Sequence, residues 1–561
     1  MNRTVEVGKR IRTFSIYDIV VLSFMIFLAY GIGLLAKKWT GPLVYQTNIS
    51  LSPISLIGYT FLSMARGFAA YGLSLAFTFV YGYAAARNRY AERVLIPLLD
   101  VFQSVPVLGF LPGLILGMMA LFPHSIMGLE LASIIMIFTG QVWNMTFSFY
   151  QSLKSIPKEL IEASKIYGLS GWRIFWDVEV PFAMPGLIWN SMMSMAGGWF
   201  FLSVCEAFTL GGKSYRIAGI GSYMATAVEN GYIPGELYAI LAMILMILAI
   251  DTFFWKPIVA WSNKFKFEDN SSSDEPTSFV LDILRNSHVL RFFRTIFSNL
   301  KIQKKYVKPI PIKAEQESGK MGGIIFYTIL GVVSGLMLWK FLDFIGSVQL
   351  SNVMTILKGD GLTALRVYAA VAISVAWTLP VGIWIGKNAS LSKKIQPVVQ
   401  VLASFPAPMI YPWFVMIFPN LNYSSILLML LGTQWYVLFN VIAGASSVPN
   451  QLKEAVEILK LNKFKVWTTL YIPTVLPFLI TGMITAAGGA WNASIVTEYM
   501  TFNHKTLQAT GIGAFINEVT ISGNMRLLVL SIVVMSLSVV VINRLIWRPL
   551  QKWAMEKFSL N

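Results

Sequence analysis

Apolar residues in this chain fall in long unbroken runs, not at alternating positions, and each run is about the roughly 20 residues that a helix rising about 1.5 Å per residue needs to cross hydrocarbon. The runs lie near 16–36, 60–86, 94–122, 128–150, 181–205 and 237–260, and again near 322–346, 362–386, 396–418, 424–446, 474–497 and 526–547. Continuous runs predict helices, because barrel strands would give short alternating segments. The expected fold is all-α and integral to a membrane, with about twelve transmembrane helices. Composition agrees: 56% of residues are hydrophobic and 13% charged, where a soluble domain has about 25% charged residues. A water-soluble fold is excluded.

The polar and unusual residues between the runs repeat. At a constant offset of 292 residues, Trp143 meets Trp435, Pro157 meets Pro449, Pro181 meets Pro473, Pro185 meets Pro477, Trp199 meets Trp491, Gly219 and Gly221 meet Gly511 and Gly513, and Trp255 meets Trp547. Upstream the offset is 300, placing Arg66 on Arg366, Gly82 on Gly382, Asn88 on Asn388 and Pro106 on Pro406. The chain therefore reads as a first repeat over 1–261, a linker over 262–320 and a second repeat over 321–561. An even number of spans per repeat makes the halves parallel, related by an axis along the membrane normal. The linker opens with the polar run EDNSSSDEPTS. Beyond it Val280, Leu284, Phe292, Ile296 and Leu300 share a helical face, with Arg285, Arg291, Arg294 and Lys301 close by. That pattern fits a helix on an anionic membrane surface, with a plain spacer or a partner-docking segment as alternatives.

The net charge of +17 raises the question of nucleic acid, but the basic residues sit on alternate loops, the pattern that orients a membrane protein. Arg3, Lys9, Arg10 and Arg12 precede the first run, Arg87, Arg89 and Arg93 follow the second, and Lys154, Lys158, Lys165 and Arg173 follow the fourth. Lys387, Lys393 and Lys394, then Lys453, Lys460, Lys463 and Lys465, repeat the arrangement. A multi-pass plasma-membrane protein is expected, with both termini and the linker cytoplasmic and no nucleic-acid partner. Nothing at the start resembles a cleavable signal, and Cys205, the single cysteine, leaves no intrachain disulfide and no cysteine metal cluster.

After the fourth run of each half comes a loop that reads as helix, turn, helix: IPKELIEASKIYGLSGWRIFWDVEVP and VPNQLKEAVEILKLNKFKVWTTLYIP. Pro157 and Pro449 suit a first helical position. Leu160, Ala163 and Tyr167 share one face, as do Leu452, Ala455 and Leu459, giving each loop a small apolar ridge. A Glu-Ala-small triplet, a Gly six residues after the Glu and a Pro nineteen after it occur at Glu162, Ala163, Ser164, Gly168 and Pro181. The second copy has Glu454, Ala455, Val456 and Pro473 but Lys460 in place of the Gly. Lys resists a left-handed backbone by about 1 kcal/mol, so that turn is expected to be reshaped.

This pattern resembles the EAA loop of ABC importer permeases. The resemblance covers nearly all of both halves and implies the type I importer fold, with each loop acting as a coupling helix seated on a separate ATPase subunit. Two such subunits, holding ATP and Mg, and an extracytoplasmic binding protein are the implied partners, beside membrane lipid. LTALRV around Arg366, SFPAPMIYP around Pro406, and GGWFFLSVCE and GAWNASIVTE followed by Gly-Ile-Gly are similar to the nitrate, sulfonate, taurine and bicarbonate branch, whose duplicated anion-type permeases this chain resembles. Glu206 and Glu498 depart from that branch by lying thirteen residues before Gly219 and Gly511.

Ionisable residues inside apolar runs cost about 2.5–3.5 kcal/mol on insertion scales and so tend to face protein or water. Arg66 and Arg366, early in the second run of each half, and Glu206 and Glu498, late in the fifth, could form an Arg–Glu pair in each half, attract an anion, or snorkel. Asn144, Gln434, Asn190 and Asn492 are candidates either for a polar path or for hydrogen bonds between helices. GGKS at residues 211–214 is not a phosphate-binding loop, since Ala207 stands where the earlier Gly is needed. The chain is thus read as a non-enzymatic permease that binds no cofactor of its own. An ion-coupled secondary transporter with two parallel repeats is the competing class.

Overall fold

The computed structural model describes residues 48–210, 213–265, 279–286, 320–346, 348–502 and 505–558. The first expected span, near 16–36, and the expected linker helix beyond Asn286 lie outside the described residues. Among those described, six helices are long and apolar enough to cross a membrane: Pro53–Arg87, Ile233–Ser262, Leu350–Gly386, Leu421–Ser446, Lys463–Thr497 and Met525–Phe558. The number rises to eight if each of two bent pairs is one span. Met127–Lys154, Val180–Cys205 and Lys320–Ile345 are further long helices.

The bent pairs correct the sequence reading. A single helix is expected near 94–122 and another near 396–418, but Arg89–Gln103 meets Val107–Leu121 at 87° and Ser390–Ser404 meets Ala407–Ile417 at 77°. Pro106 and Pro406 explain both breaks. Proline has no N–H to continue the ladder and pushes the residue before it out of the helical region, and Val105 and Phe405 are extended, with ψ of 132° and 126°. Each chain then restarts as a 3-10 turn, Val107–Phe110 or Ala407–Ile410, leading into a helix with Pro112 or Pro412 in its first turn.

Four other prolines widen a helix without breaking it. Single π-helical turns occupy Phe175–Glu179, Asp251–Trp255, Trp467–Tyr471 and Asn543–Trp547, two per half at the offset of the duplication. Each turn holds the residue four before a proline, namely Pro181, Pro257, Pro473 or Pro549. The proline ring cannot bond that carbonyl and crowds it, so the hydrogen bond just before the proline closes one residue wider, as from the Val180 N–H to the Phe175 carbonyl.

The described residues form two compact units. One comprises 155–189, 249–265 and 279–286, and the other the described parts of 48–154, 190–248 and 320–558. In the smaller unit the first helix–turn–helix loop borders a cavity of about 350 Å³ lined by Leu160, Asp177, Val178, Pro181, Phe182, Lys264 and Phe265. In the larger unit helices pack through small residues. Ala70, Ser74, Thr78 and Gly82 form a buried ladder at four-residue spacing, and Ala370, Ser374, Thr378 and Gly382 repeat it. Such ladders let helix backbones approach closely in lipid, where no hydrophobic force drives helices together. A Cβ on Gly82 would lie 2.8 Å from Phe149, and one on Gly382 2.6 Å from Val441. Asn88 and Asn388 cap the following helices, each side chain accepting two backbone N–H groups.

Two antiparallel hairpins add to the all-α plan: β1 (Ala207–Leu210) with β2 (Lys213–Arg216), and β3 (Tyr499–Phe502) with β4 (Lys505–Gln508). Lys213 and Ser214 of the GGKS run stand in β2 and lead into a strand, whereas a phosphate loop leads into a helix.

Candidate functional site

The first candidate surface lies on the two EAA-like loops. Lys158–Ile166 forms the helix of the first EAA-like loop and Asn450–Ile458 that of the second. Pro157 and Pro449 stand one position earlier than expected, at the N-cap, with ψ of 135° and 144°. The first helix ends at Gly168, whose φ of 73° allows Leu169 N–H to bond the Ser164 carbonyl at 3.1 Å and Gly168 N–H to bond Lys165 at 2.9 Å. Reshaping of the second turn does not occur. Lys460 takes φ of 48°, and Leu461 and Lys460 donate to Val456 at 3.4 Å and Glu457 at 3.0 Å. These bonds satisfy carbonyls that a helix end otherwise orphans, which offsets a left-handed penalty of about 1 kcal/mol.

Glu162, Glu454, Ala455, Gly168 and Lys460 are exposed, while Leu160 and Ala163 are half-buried. Ser164 is turned inward, its hydroxyl donating to the Leu160 carbonyl at 2.7 Å. The apolar ridge is displaced from the expected face. Its most exposed members are Ile166, Tyr167 and Trp172 in the first loop and Ile458, Leu459 and Phe464 in the second, with 68–84% of each in contact with solvent; Leu452 is near the margin at 37%. Ile166, Trp172, Ile458 and Phe464 escaped the sequence reading. The available signal was that large apolar residues recur at these positions in an otherwise polar loop.

The second candidate is a buried ionic cluster at the hairpin end of each half. Arg66 is wholly buried. Its Nε and Nη2 donate to Glu130 at 2.5 and 2.7 Å, and Nη1 donates to Glu206 Oε1 at 2.7 Å. Nη2 also donates to the Ala218 carbonyl at 2.8 Å. Glu206 further accepts the Ser63 hydroxyl at 2.6 Å and the Gly221 N–H at 2.7 Å, while Ser63 accepts the Ile220 N–H at 2.9 Å. In the second half Arg366 donates to Glu498 at 2.8 Å and to both oxygens of Asn422 at 3.0 and 3.2 Å. Thr363 donates to Glu498 at 2.8 Å, Gly513 N–H donates to Glu498 at 2.9 Å, and Thr363 accepts Ile512 N–H at 3.0 Å. All three side-chain nitrogens of each arginine thus donate within the protein, tying together helices distant in sequence.

The Gly-Ile-Gly triplets serve these clusters. A Cβ on Gly219 would overlap the Glu206 carboxylate, and one on Gly511 would overlap that of Glu498. A Cβ on Gly221 would lie 2.7 Å from the Ser203 carbonyl, and one on Gly513 2.5 Å from that of Ser494. Bare backbone lets the carboxylate lie against the start of the Ile220–Glu229 or Ile512–Ser522 helix, where N–H groups and the positive end of the helix dipole favour it. Glu130 and Asn422 escaped the sequence reading, although Glu130 is an acidic residue opening an apolar run.

The remaining polar candidates lie outside these clusters. Asn144 accepts from Gln103 at 3.0 Å, and Asn190 donates to Ser148 at 3.0 Å. Asn492 accepts the Val107 N–H at 2.7 Å, so the apex of the first bent pair is fastened to a second-half helix by a donor that Pro106 frees. Gln434 is half-buried on Leu421–Ser446.

A duplicated set of membrane-length helices, with a sharply bent helix pair near the middle of each half and buried ionic staples at one end, defines a transport permease of two like halves. The chain belongs to the family of binding-protein-dependent transport system inner membrane components, matched at 78–254 and again at 378–550. It is similar to the nitrate import permease protein NrtB of Synechococcus elongatus, at 29% identity over 28% of this chain and 56% of that protein. It is also similar to NrtB of Leptolyngbya laminosa, at 24% identity over 42% of this chain and 75% of that protein. The bicarbonate transport system permease protein CmpB of S. elongatus matches at 27% identity over 27% of this chain and 52% of CmpB. For the first and third of these, the match spans about half of the relative's length.

Proposed function

We propose that this chain is the permease subunit of an ATP-driven importer and forms the translocation pathway for a small anion of the nitrate, sulfonate or bicarbonate kind. Both six-helix halves lie in one polypeptide, its termini and linker in the cytoplasm. The coupling loops are the observation that carries this reading: each presents an exposed apolar knob on a rigid helix, repeated at one offset, as a pair of docking points for a two-subunit engine would require. ATP and Mg belong to that engine, and an extracytoplasmic binding protein delivers the anion to the hairpin end.

Transport follows as alternating access. Closure of the ATPase pair moves the two loops, and because each loop runs into a long helix through a π turn, the motion is passed to the spans as rigid-body rocking. The Arg–Glu staples keep the hairpin end of each half intact while the halves move. Affinity purification of the full chain tests this: an ATPase is expected to co-purify, and to be lost when Ile166 and Ile458 are both changed to Asp. Uptake of labelled nitrate or bicarbonate by proteoliposomes is expected only with ATP and that subunit present. Uptake driven by an ion gradient without ATPase would replace the reading with ion-coupled transport.

A further inference from the structure

The two coupling knobs match in position but not in charge. Ile166, Tyr167 and Trp172 correspond to Ile458, Leu459 and Phe464 with similar exposure, so the same kind of partner surface suits both. Around the first knob charges balance: Lys158, Lys165 and Arg173 against Glu159, Glu162 and Asp177 over 158–177. Arg173 is further neutralised by Asp177 four residues on, at 3.3 Å. Around the second knob, Lys460, Lys463 and Lys465 replace Gly168, Gly171 and Arg173, and Thr469 replaces Asp177. Position 469 thus offers Lys465 no carboxylate of the kind that Arg173 has, the Thr469 hydroxyl donating instead to the Lys465 main-chain carbonyl at 2.6 Å. Over 450–469 two positive charges are in excess: Lys453, Lys460, Lys463 and Lys465 against Glu454 and Glu457.

Lys460 adds an independent observation. It is the non-glycine residue with positive φ among the described residues, at a turn where glycine would be less strained. A residue held in a costly conformation points to a use for its side chain, and here the side chain is a cation beside the exposed Leu459.

Resting on the ATPase-docking reading above, we propose that the two loops hold their ATPase subunits by unequal means. The first docks by apolar and aromatic contact. The second docks by the same contact and by an electrostatic clamp in which Lys460, Lys463 and Lys465 face carboxylates on the rim of the ATPase cleft. Exposed charges of this kind act chiefly on encounter rate and salt dependence, and at about 0.5 M salt the screening length falls to roughly 4 Å. Lys463 also opens a membrane-length helix, which makes an anionic lipid headgroup the competing occupant. The position of Lys460 on the coupling helix's own C-terminal turn, flanking the knob, favours the protein partner.

The test uses the full chain with its ATPase in nanodiscs of zwitterionic lipid, and in a parallel set that also contains anionic lipid. Reporter cysteines are placed at the equivalent exposed positions as Ser155→Cys or Ser447→Cys, which changes no charge, and cross-linking to the ATPase is followed from about 0.05 to about 0.5 M NaCl. The yield at the second loop is expected to fall about tenfold while that at the first stays within about twofold. Lys463→Glu with Lys465→Glu is expected to reproduce the second-loop loss at low salt and to leave the first loop unchanged. Parallel salt responses at the two loops would overturn the proposal. So would a second-loop yield that is indifferent to the lysine changes, or one that responds to them only when anionic lipid is present. Failure of both loops to cross-link any ATPase would overturn the docking reading itself, and the asymmetry with it.

Discussion

At the hairpin end of the first half Arg66 meets two carboxylates, Glu130 and Glu206, whereas Arg366 in the second half meets Glu498 and the neutral Asn422. The rest is shared. Ser63 and Thr363 each bridge the carboxylate to a helix N–H, and a glycine cradle receives Glu206 or Glu498. Asn422 supplies acceptors where Glu130 supplies acceptors and charge, and it also takes the Thr510 N–H at 2.9 Å. The invariant part of the device is therefore one buried Arg–Glu pair on a bare backbone. The third member needs only to accept hydrogen bonds, since a guanidinium with unmet donors in a dry site is what must be avoided.

The largest expected effect comes from removing the cation. Arg66→Ala strands two buried carboxylates and Arg366→Ala one, so both are expected to destabilise by about 3–5 kcal/mol, Arg66→Ala by more. Thermal unfolding in nanodiscs gives the order, and equal losses would show that Glu130 adds nothing to the burden. Next comes the cradle. Gly219→Ala and Gly511→Ala force a methyl group into the carboxylate and are expected to cost about 1–3 kcal/mol each. Near-equal midpoint shifts are anticipated because this element is common to both halves, and a large difference would break the comparison.

Exchange of the third member sharpens it further. Glu130→Asn trades a charged bidentate partner for relief of an excess carboxylate, and a net loss of about 1.5 kcal/mol or less is expected. The smallest effect lies at the other end of the second half, where Lys460→Gly should relieve about 1 kcal/mol of left-handed strain. A midpoint rise with the turn preserved by hydrogen exchange is the expected result, and a fall would show that the lysine is held by contacts of its own.

Much of this was readable in the chain. Run lengths gave the helices, the recurrence of Trp, Pro and Gly gave two like halves, and Pro157 with Gly168 marked where the short loop helix starts and turns. The Arg–Glu pairing was one of three readings open for Arg66 and Arg366, because an arginine near the end of an apolar run reads alike whether it is paired, snorkelling or facing solvent. The breaks at Pro106 and Pro406 were missed because hydropathy does not register direction. Prolines also stand inside unbroken helices at Pro97, Pro185 and Pro477. The knobs at Ile166 and Ile458 were missed because helical spacing defines a face but not which face the rest of the protein covers.

The sequence by itself determined which segments are helical and membrane-length, that the chain is written twice, and which family it joins, since these depend on residue type and order along one strand of chain. Only the tertiary structure decided that Arg66 shares two carboxylates, that Glu206 rests on Gly219 and Gly221, that Asn492 catches the N–H beyond Pro106, and that Lys460 keeps a glycine's turn. Each of these brings together atoms far apart in the chain or sets a cost in one dihedral against hydrogen bonds formed around it, and neither balance can be drawn from residue types alone.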